Sequence, residues 1–457
     1  MIKIYNSLTK KVEDFKPIHE GTVSMYTCGP TVYSYAHIGN FRTYVSADII
    51  YRTFLVNDYK VRYIINLTDV GHLSDDADDG DDKVEKMAKE EGKSARDITD
   101  FYIKRFLIDY EKLRIIKPKK FTRATEYIKE QVSLVSELEK RGYTYRTSDG
   151  VYFDTSRFEK YGELSGHFAE DILEGARVEI NPEKRNPTDF ALWKLSPKDE
   201  KRWQEWESPW GIGFPGWHIE CSAMALKELG QTIDVHLGGE DLLMHHQNEI
   251  AQSECATGKE FVHYWMHAAF LKIDGGKMSK SLNNMYTLED IEAKGFDPLS
   301  LRYFYLSGHY RTSLNFTWEA LQSAQTALKK LYQVVEGYSP IQEETFAKDY
   351  LSRFMDVVNN DFNMPQALAT MWDLLKSDVS EQTKICTLLK MDEVLGLDIE
   401  SHVGMTIPEE IVNLAETRNT YRRNGIWDKA DQLRKQLEAS GYLVEDRGDS
   451  YKIRRRI

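Results

Sequence analysis

Cysteine is scarce, positive charge is in the minority, and no long apolar run occurs. The 457 residues hold four cysteines, Cys28, Cys221, Cys255 and Cys386, and no CxxC pair. That excludes a disulfide framework and means that any metal site is assembled from distant parts of the fold. The lack of about 18 consecutive apolar residues excludes a membrane-spanning helix. Residues 1–6 lack the apolar core of a secretory signal, so an intracellular, cytoplasmic protein is expected. Lys and Arg number 60 against 73 Asp and Glu, a net charge of -13. This argues against a generic nucleic-acid binder, which is usually basic, but leaves room for a local basic patch. Repeats and low-complexity tracts are absent too. What remains is the composition of a globular protein, 41% hydrophobic and 29% charged, long enough for about two to four domains with real cores.

The first strong signal along the chain is a strand over 22–28, broken at Gly29-Pro30. A helix follows from near His37, then a strand over 61–67 bounded by Thr68-Asp69. Strand, helix and strand at this spacing predict a βαβ unit and hence a parallel sheet. Residues 75–82 are nearly all acidic and read either as a solvated loop or as a divalent-cation site. Two helical stretches are expected over 83–113 and 123–141. Residues 145–215 are polar, Trp-rich and irregular, with a few short strands such as 150–154, and read as an insertion. The sheet resumes over 232–237, stopped by Gly238-Gly239, with a helix over 242–256 and a strand near 267–273. From Pro298 onward helices are expected over 299–307, 318–336, 345–359, 364–376 and 380–395. Two more helices and a hairpin over 442–453 follow.

Two short patterns carry chemistry. His37-Ile-Gly-Asn40 falls where a helix begins after the first strand. A helix N-terminus offers free N–H groups and partial positive charge, which suits phosphate, and Gly39 permits close approach of a nucleotide. The same four residues also read as a plain capping turn. Lys277-Met-Ser-Lys-Ser281 is more specific, with a chance occurrence in a chain this long of roughly one in several thousand. Lys277 and Lys280 place two ammonium groups on one loop behind Gly275-Gly276, where they can neutralise charge that builds on departing phosphates. Together the two patterns resemble the paired ATP signatures of class I aminoacyl-tRNA synthetases. That resemblance implies a Rossmann-like parallel sheet, interrupted by a connective insertion and followed by a mostly helical C-terminal half. The family often has histidine where this chain has Asn40, another hydrogen-bond donor.

Gly216-Trp-His-Ile-Glu-Cys-Ser-Ala-Met224, His245-His-Gln-Asn-Glu249 and Thr27-Cys-Gly-Pro-Thr31 narrow the resemblance to the cysteinyl-tRNA synthetase family. It covers nearly the whole chain. It implies that Cys28, Cys221, His245 and Glu249 bind one zinc ion per chain. All four are ordinary zinc donors, and His245 and Glu249 share a helix face. It further implies that Gly29, Thr68, Trp217, His218 and His236 contact substrate cysteine. ATP, with Mg2+, is implied to meet Thr31, His37, Gly39, Asn40, Asp241, Lys277, Ser279 and Lys280. Of these, His37, Asn40, Lys277 and Lys280 are implied to act in catalysis. Serine differs from cysteine by one atom, a difference that pocket shape discriminates poorly. Zinc prefers a soft thiolate to a hydroxyl, which explains a metal in place of an editing domain. Four protein ligands plus a substrate thiolate crowd such an ion, and Glu249 is the donor expected to loosen. His246 is open between a place behind the ligands and the surface. Leu243-Met244, Gln247 and Phe214 depart from the family's usual Phe-Pro, Glu and Arg.

Residues 302–316 and 361–368 resemble the family's stem-contact segment and the start of its helical tRNA-binding domain. From Ile407 the chain carries eleven Lys and Arg against nine Asp and Glu. That shift, with Arg418, Arg422, Arg423 and Arg454–Arg456, suits phosphate contact. Trp427 either stacks on an anticodon base or packs a helix, the second being expected. The expected divisions are a catalytic domain in two halves over 1–115 and 217–285, a connective insertion over 116–216, a stem-contact region over 286–340, a helical bundle over 341–400 and an anticodon-recognition region over 401–457. The function implied is ATP-dependent formation of cysteinyl-adenylate and transfer to the terminal adenosine of tRNA(Cys), by a monomer. The alternatives are a paralogous cysteine–amino-sugar ligase, which lacks the tRNA-binding tail, and a non-catalytic zinc- or tRNA-binding relative.

Overall fold

The computed structural model describes residues 1–71, 83–166, 181–197, 202–279, 282, 284–339, 341–404, 408–448 and 450–455. The acidic stretch 75–82, Lys280 and Arg456 lie outside them. Strands β1 (Lys3–Asn6) and β2 (Lys11–Asp14) form an antiparallel hairpin. Next come β3 (Thr22–Thr27), α1 (Ile38–Val56) and β4 (Lys60–Leu67), the expected βαβ unit. In β3 and β4 the buried positions run nearly unbroken, as a strand covered on both faces requires. Helices α2 (Lys83–Glu91) and α3 (Ala95–Lys112) lead to β5 (Lys120–Arg123). Ser94 and Asp97 cap α3 reciprocally, the box that stops an N-terminus from fraying.

Within the insertion, a strand expected over 150–154 is found as one of four in the described residues. After α4 (Ile128–Lys140) come β6 (Thr144–Arg146), β7 (Gly150–Phe153), β8 (Phe190–Leu195) and β9 (Gly213–Pro215), a four-stranded antiparallel sheet in that order. Its strands are short and far apart in sequence, so no local alternation announces the sheet as a whole. The main sheet resumes with α5 (Trp217–Leu229), β10 (Ile233–Gly239), α6 (Leu243–Thr257) and β11 (Val262–Ala268). Strand order is β11-β10-β3-β4-β5 and every pairing is parallel. The strand expected near 267–273 is two strands. β11 ends at Ala268, and β12 (Leu271–Ile273) leaves the sheet to pair elsewhere.

Helices α7 (Leu288–Ala293) and α8 (Pro298–Leu306) precede β13 (Leu314–Phe316), the partner of β12. Then come α9 (Trp318–Glu336), α10 (Lys348–Val358), α11 (Met364–Lys376) and α12 (Glu381–Leu395). One apolar cluster joins this helical half to α1 and the sheet, from Phe41 and Val235 through Leu331 to Leu395. Inside it sits an ion pair with no exposed atoms. Arg302 Nη2 is 2.5 Å from Asp48 Oδ2, and Arg52 Nε lies 2.7 Å from the same oxygen. The remaining guanidinium donors of Arg302 go to the carbonyls of Leu113 and Leu395. A pair satisfied this fully is tolerated in a core, whereas either half alone is not.

The tail forms α13 (Glu409–Arg423), α14 (Trp427–Ala439), β14 (Tyr442–Arg447) and β15 (Ser450–Arg455) around a small core of Ile411, Ala415, Leu437 and Val444. Two expectations change here. Arg418 is buried and makes a bidentate pair with Asp446 at 2.6 and 2.9 Å, so it braces the tail and cannot meet a phosphate. Trp427 is 61% exposed and is no packing residue. Among the described residues no helix is long and apolar enough to cross a membrane.

Candidate functional site

His37 is the N-cap of α1. Its side chain accepts from the backbone N–H of Asn40 at 3.2 Å, and Asn40 Oδ1 accepts from the His37 N–H at 3.0 Å. The capping reading is therefore correct for these two side chains, and their reciprocal bond fixes the first turn of α1. Gly39 is required by crowding. A Cβ there would lie 2.9 Å from His37 Nδ1 and 3.3 Å from Met278 Cε. The two signatures are thus in contact although more than two hundred residues separate them.

A short segment ties them together. Ile38 N–H donates to the Tyr286 carbonyl at 2.8 Å, and His37 bridges Thr287. Asn284 was not anticipated from sequence. Its Oδ1 accepts from the Ser279 N–H at 2.8 Å and its amide donates to the Lys277 carbonyl at 3.1 Å. It clamps the described part of the second signature. Gly275, at φ +80, supplies the left-handed turn that starts the loop. Lys277 is exposed.

The strand that leads into the first signature also carries Cys28. Four side chains converge there from three elements: Cys28 after β3, Cys221 on α5, and His245 and Glu249 one turn apart on α6. Their ligand atoms all lie within 4.8 Å of one another, and all four are buried. Cys28 Sγ is 3.9 Å from Cys221 Sγ and 3.5 Å from Glu249 Oε1. His245 Nε2 is 3.0 Å from Glu249 Oε1. A second set, Cys28, His236, His246 and Glu249, meets the same criterion. Two of its ring nitrogens are already engaged. His236 Nε2 is 2.9 Å from Glu249 Oε2, and His246 Nδ1 is 2.8 Å from His267 Nε2.

Electrostatics separate the groups. Burial pushes the Cys28 thiol up, aided by Cys221 and Glu249. The hydrogen bond from Cys28 draws Cys221 down against the cost of burial. Burial alone would raise Glu249, but His236 and His245 outweigh it and hold the carboxyl near 2. Burial likewise opposes protonation of His245, and Cys221 with Glu249 overcome it, to about 10. Glu249 and His245 therefore stand as a buried ion pair, with the Cys221 thiol drawn down beside it. His246, for which sequence left two readings open, is fully buried. Burial and neighbouring histidines keep it neutral, with Nε2 3.3 Å from Cys28 Sγ. Beyond it His267 Nδ1 is 2.8 Å from Ser7 Oγ. Nothing local in sequence marks His267 or Ser7.

The remaining sequence-proposed residues lie around these two centres. Trp217 opens α5, its ring 4.8 Å from that of His245, and His218 Nδ1 is 2.8 Å from His245 Nδ1. His236 is fully buried behind Glu249 and stacks on Trp265 at 4.7 Å. Thr68 pairs with Thr31 across the mouth of β3 and β4. Gly29 N–H donates to Asn66 Oδ1 at 2.7 Å, and a Cβ on Gly29 would fall 1.5 Å from the Asn66 carbonyl oxygen. Only glycine fits there. Asp241 lies exposed just beyond β10.

Comparison with known proteins shows the family of the chain. The family model described as tRNA synthetases class I (C) catalytic domain matches residues 14–326. The model of the cysteinyl-tRNA ligase anticodon binding domain matches residues 406–454. Cysteine–tRNA ligase 1 of Burkholderia lata is 45% identical over 99% of this chain and 96% of its own length. The cysteine–tRNA ligase of Treponema denticola is 42% identical, covering 97% of this chain and 98% of itself. A solved methionyl-tRNA synthetase of Mycobacterium tuberculosis, in complex with methionyl-adenylate, shares the fold. It has a TM-score of 0.55 at 17% identity over 82% of this chain and 90% of that one. The chain belongs to the cysteinyl-tRNA ligase family of class I aminoacyl-tRNA synthetases.

Proposed function

We propose that the protein activates L-cysteine with ATP and joins it to tRNA(Cys), acting as a monomer in the cytoplasm. The observation that carries this reading is the buried cluster of two thiols, an imidazole and a carboxylate at the end of the strand leading into the His37–Asn40 turn. In the first step a carboxylate oxygen of cysteine attacks the α-phosphorus of ATP, and the bond to pyrophosphate breaks. In the second a hydroxyl of the terminal adenosine attacks the acyl carbon, and AMP leaves. No side chain need become covalently attached. The chain positions the reactants and offsets charge on the departing phosphates.

Lys277 and Lys280 supply that charge, with the Asn284 clamp setting the loop from which Lys277 projects. The N-terminus of α1, held by His37 and Asn40, receives the nucleotide beside Gly39, with Thr31, Asp241 and Ser279 around it, and Mg2+ accompanies ATP. The donor set of Cys28, Cys221, His245 and Glu249 fits zinc better than the alternative set, because it offers two thiols in place of one. Zinc held by these residues supplies a soft Lewis acid that favours the substrate thiolate over the serine hydroxyl. His218 holds the ring of His245, and Trp217, Thr68 and Gly29 enclose the rest of the amino acid. His236 supports the pocket through Glu249.

The match of residues 406–454 to an anticodon-binding domain favours a tRNA substrate over an amino-sugar. The deciding experiment is cysteine-dependent ATP–pyrophosphate exchange with serine as control, followed by tRNA charging. Exchange with cysteine alone and charging of tRNA(Cys) are expected. Exchange that serine supports equally would refute the thiol-selection argument. Lys280→Ala should depress exchange while leaving the fold intact.

A further inference from the structure

Exposed aromatic rings are normally scattered singly over a protein surface. Here two lie side by side at the rim of the reaction site. Tyr35, on the loop between β3 and α1 and just before His37, is 42% exposed, and Phe101 on α3 is 42% exposed. Their ring centroids are 6.2 Å apart. Both rings stand edge-on to Tyr102, at 5.2 Å each, and Tyr102 is itself buried at 7% exposure. The buried ring fixes the two exposed ones, so little rotamer freedom remains to be lost on binding.

Cations flank the pair. The Arg105 guanidinium lies 5.7 Å from the centroid of Tyr35 and the Lys93 ammonium 5.6 Å from that of Phe101. Lys104 is exposed on the same helix. Among the described residues Asp97 caps α3, Asp100 pairs with Arg123 at 2.5 Å, and Glu289 pairs with Arg105 at 2.7 Å, so the Arg105 charge is shared with a carboxylate and its planar guanidinium serves the platform by stacking. Glu289 belongs to α7, which follows the second signature, and Thr287 at its N-cap bridges His37. The patch is therefore continuous with both halves of the ATP site.

We propose that Tyr35, Phe101 and Arg105 form a stacking platform for the unpaired 3′-terminal nucleotides of the RNA substrate. The inference rests on the tRNA-ligase reading. In a duplex stem the base faces are already stacked, so only unpaired bases can lie on aromatic rings, and flanking cations then meet their phosphates. The terminal adenosine must reach the acyl group beside His37, and Tyr35 lies two residues before it, so the rim is within reach of the nucleotides behind that adenosine.

The test is Phe101→Ala in the full chain, read by three measurements. Pyrophosphate exchange should stay at the unsubstituted rate. The kcat/KM for tRNA should fall about tenfold, the loss of one base stack, and Phe101→Trp should restore it. With tRNA shortened by its unpaired 3′ nucleotides, the unsubstituted chain and Phe101→Ala should bind equally. Unchanged charging by Phe101→Ala would overturn the platform. An equal loss of affinity for the full and the shortened RNA would overturn it too, since the ring would then touch another part of the tRNA. If the unsubstituted chain exchanges pyrophosphate but charges no tRNA, the tRNA-ligase reading fails and the platform falls with it.

Discussion

Replacing His236 with Leu tests whether Glu249 is a working ligand or a bystander. His236 Nε2 is 2.9 Å from Glu249 Oε2, and neither side chain has exposed surface. No water can replace the donor without a rearrangement of the core, and Leu keeps most of the volume. A hydrogen bond to a charged group contributes about 1.5–3 kcal/mol, and a buried acceptor left unpaired loses at least that much. At 1.4 kcal/mol per tenfold, zinc affinity should fall about 10–100-fold, the range seen when a partner behind a metal ligand is removed. His236→Gln retains a donor and should lose far less. The assay is competition for zinc against a chelating dye, with circular dichroism to confirm the fold. The kcat/KM for cysteine in pyrophosphate exchange should follow the metal affinity. Equal zinc affinity in the Leu variant and the unsubstituted protein would refute the view that His236 aims Glu249 at a metal.

Other consequences concern stability and the tail. Asp48→Ala strands Arg302 and Arg52 in the core, which should cost about 3–5 kcal/mol in urea unfolding; a change below 1 kcal/mol would show that the pair is dispensable. Asp109 is buried and its Oδ1 has no hydrogen-bond partner among the described residues. Burial raises its carboxyl to about 6, against the pull of Lys112 and Arg105. The folded state therefore holds a proton that the unfolded state has released, and stability declines as pH rises from about 4 to about 6. Asp109→Asn should raise unfolding stability above pH 6 by on the order of 1 kcal/mol, and give no gain near pH 4; a pH-independent gain would contradict this. Removing residues 408–457 should spare cysteine-dependent pyrophosphate exchange and weaken tRNA charging, and undiminished charging would refute the role of the tail.

What was readable in sequence follows from what is local. The helices 318–336 and 364–376 are found at those limits, because apolar periodicity and caps such as Thr317 and Asn363 are written within one or two turns. The βαβ unit was readable for the same reason. Strand β5 was missed because four residues with three polar members carry no strand pattern; its pairing with β4 decides it. In the insertion the strand over 150–154 was readable, but its antiparallel sheet was not, since β7 and β8 find each other across a long interval. Trp427 and Arg418 show the limit for single side chains. Nothing in their neighbourhood states that the tryptophan faces solvent and the arginine meets Asp446.

By itself the sequence determined the chemistry on offer: two lysines in one loop and a glycine within a helix-opening turn, with the four metal donors implied by the family resemblance. Spacing along the chain could not bring those parts together. Tertiary structure alone decided that Met278 meets Gly39, that Asn284 clamps the loop, and that Cys28, Cys221, His245 and Glu249 share one buried pocket. It also decided that His236 stands behind Glu249, as the parallel placement of β10 beside β3 turns it to the face that α6 covers. The reason is physical. Residue type fixes what a group can bind or donate, while distance, burial and charge between groups far apart in the chain arise only when the sheet and helices close on one another.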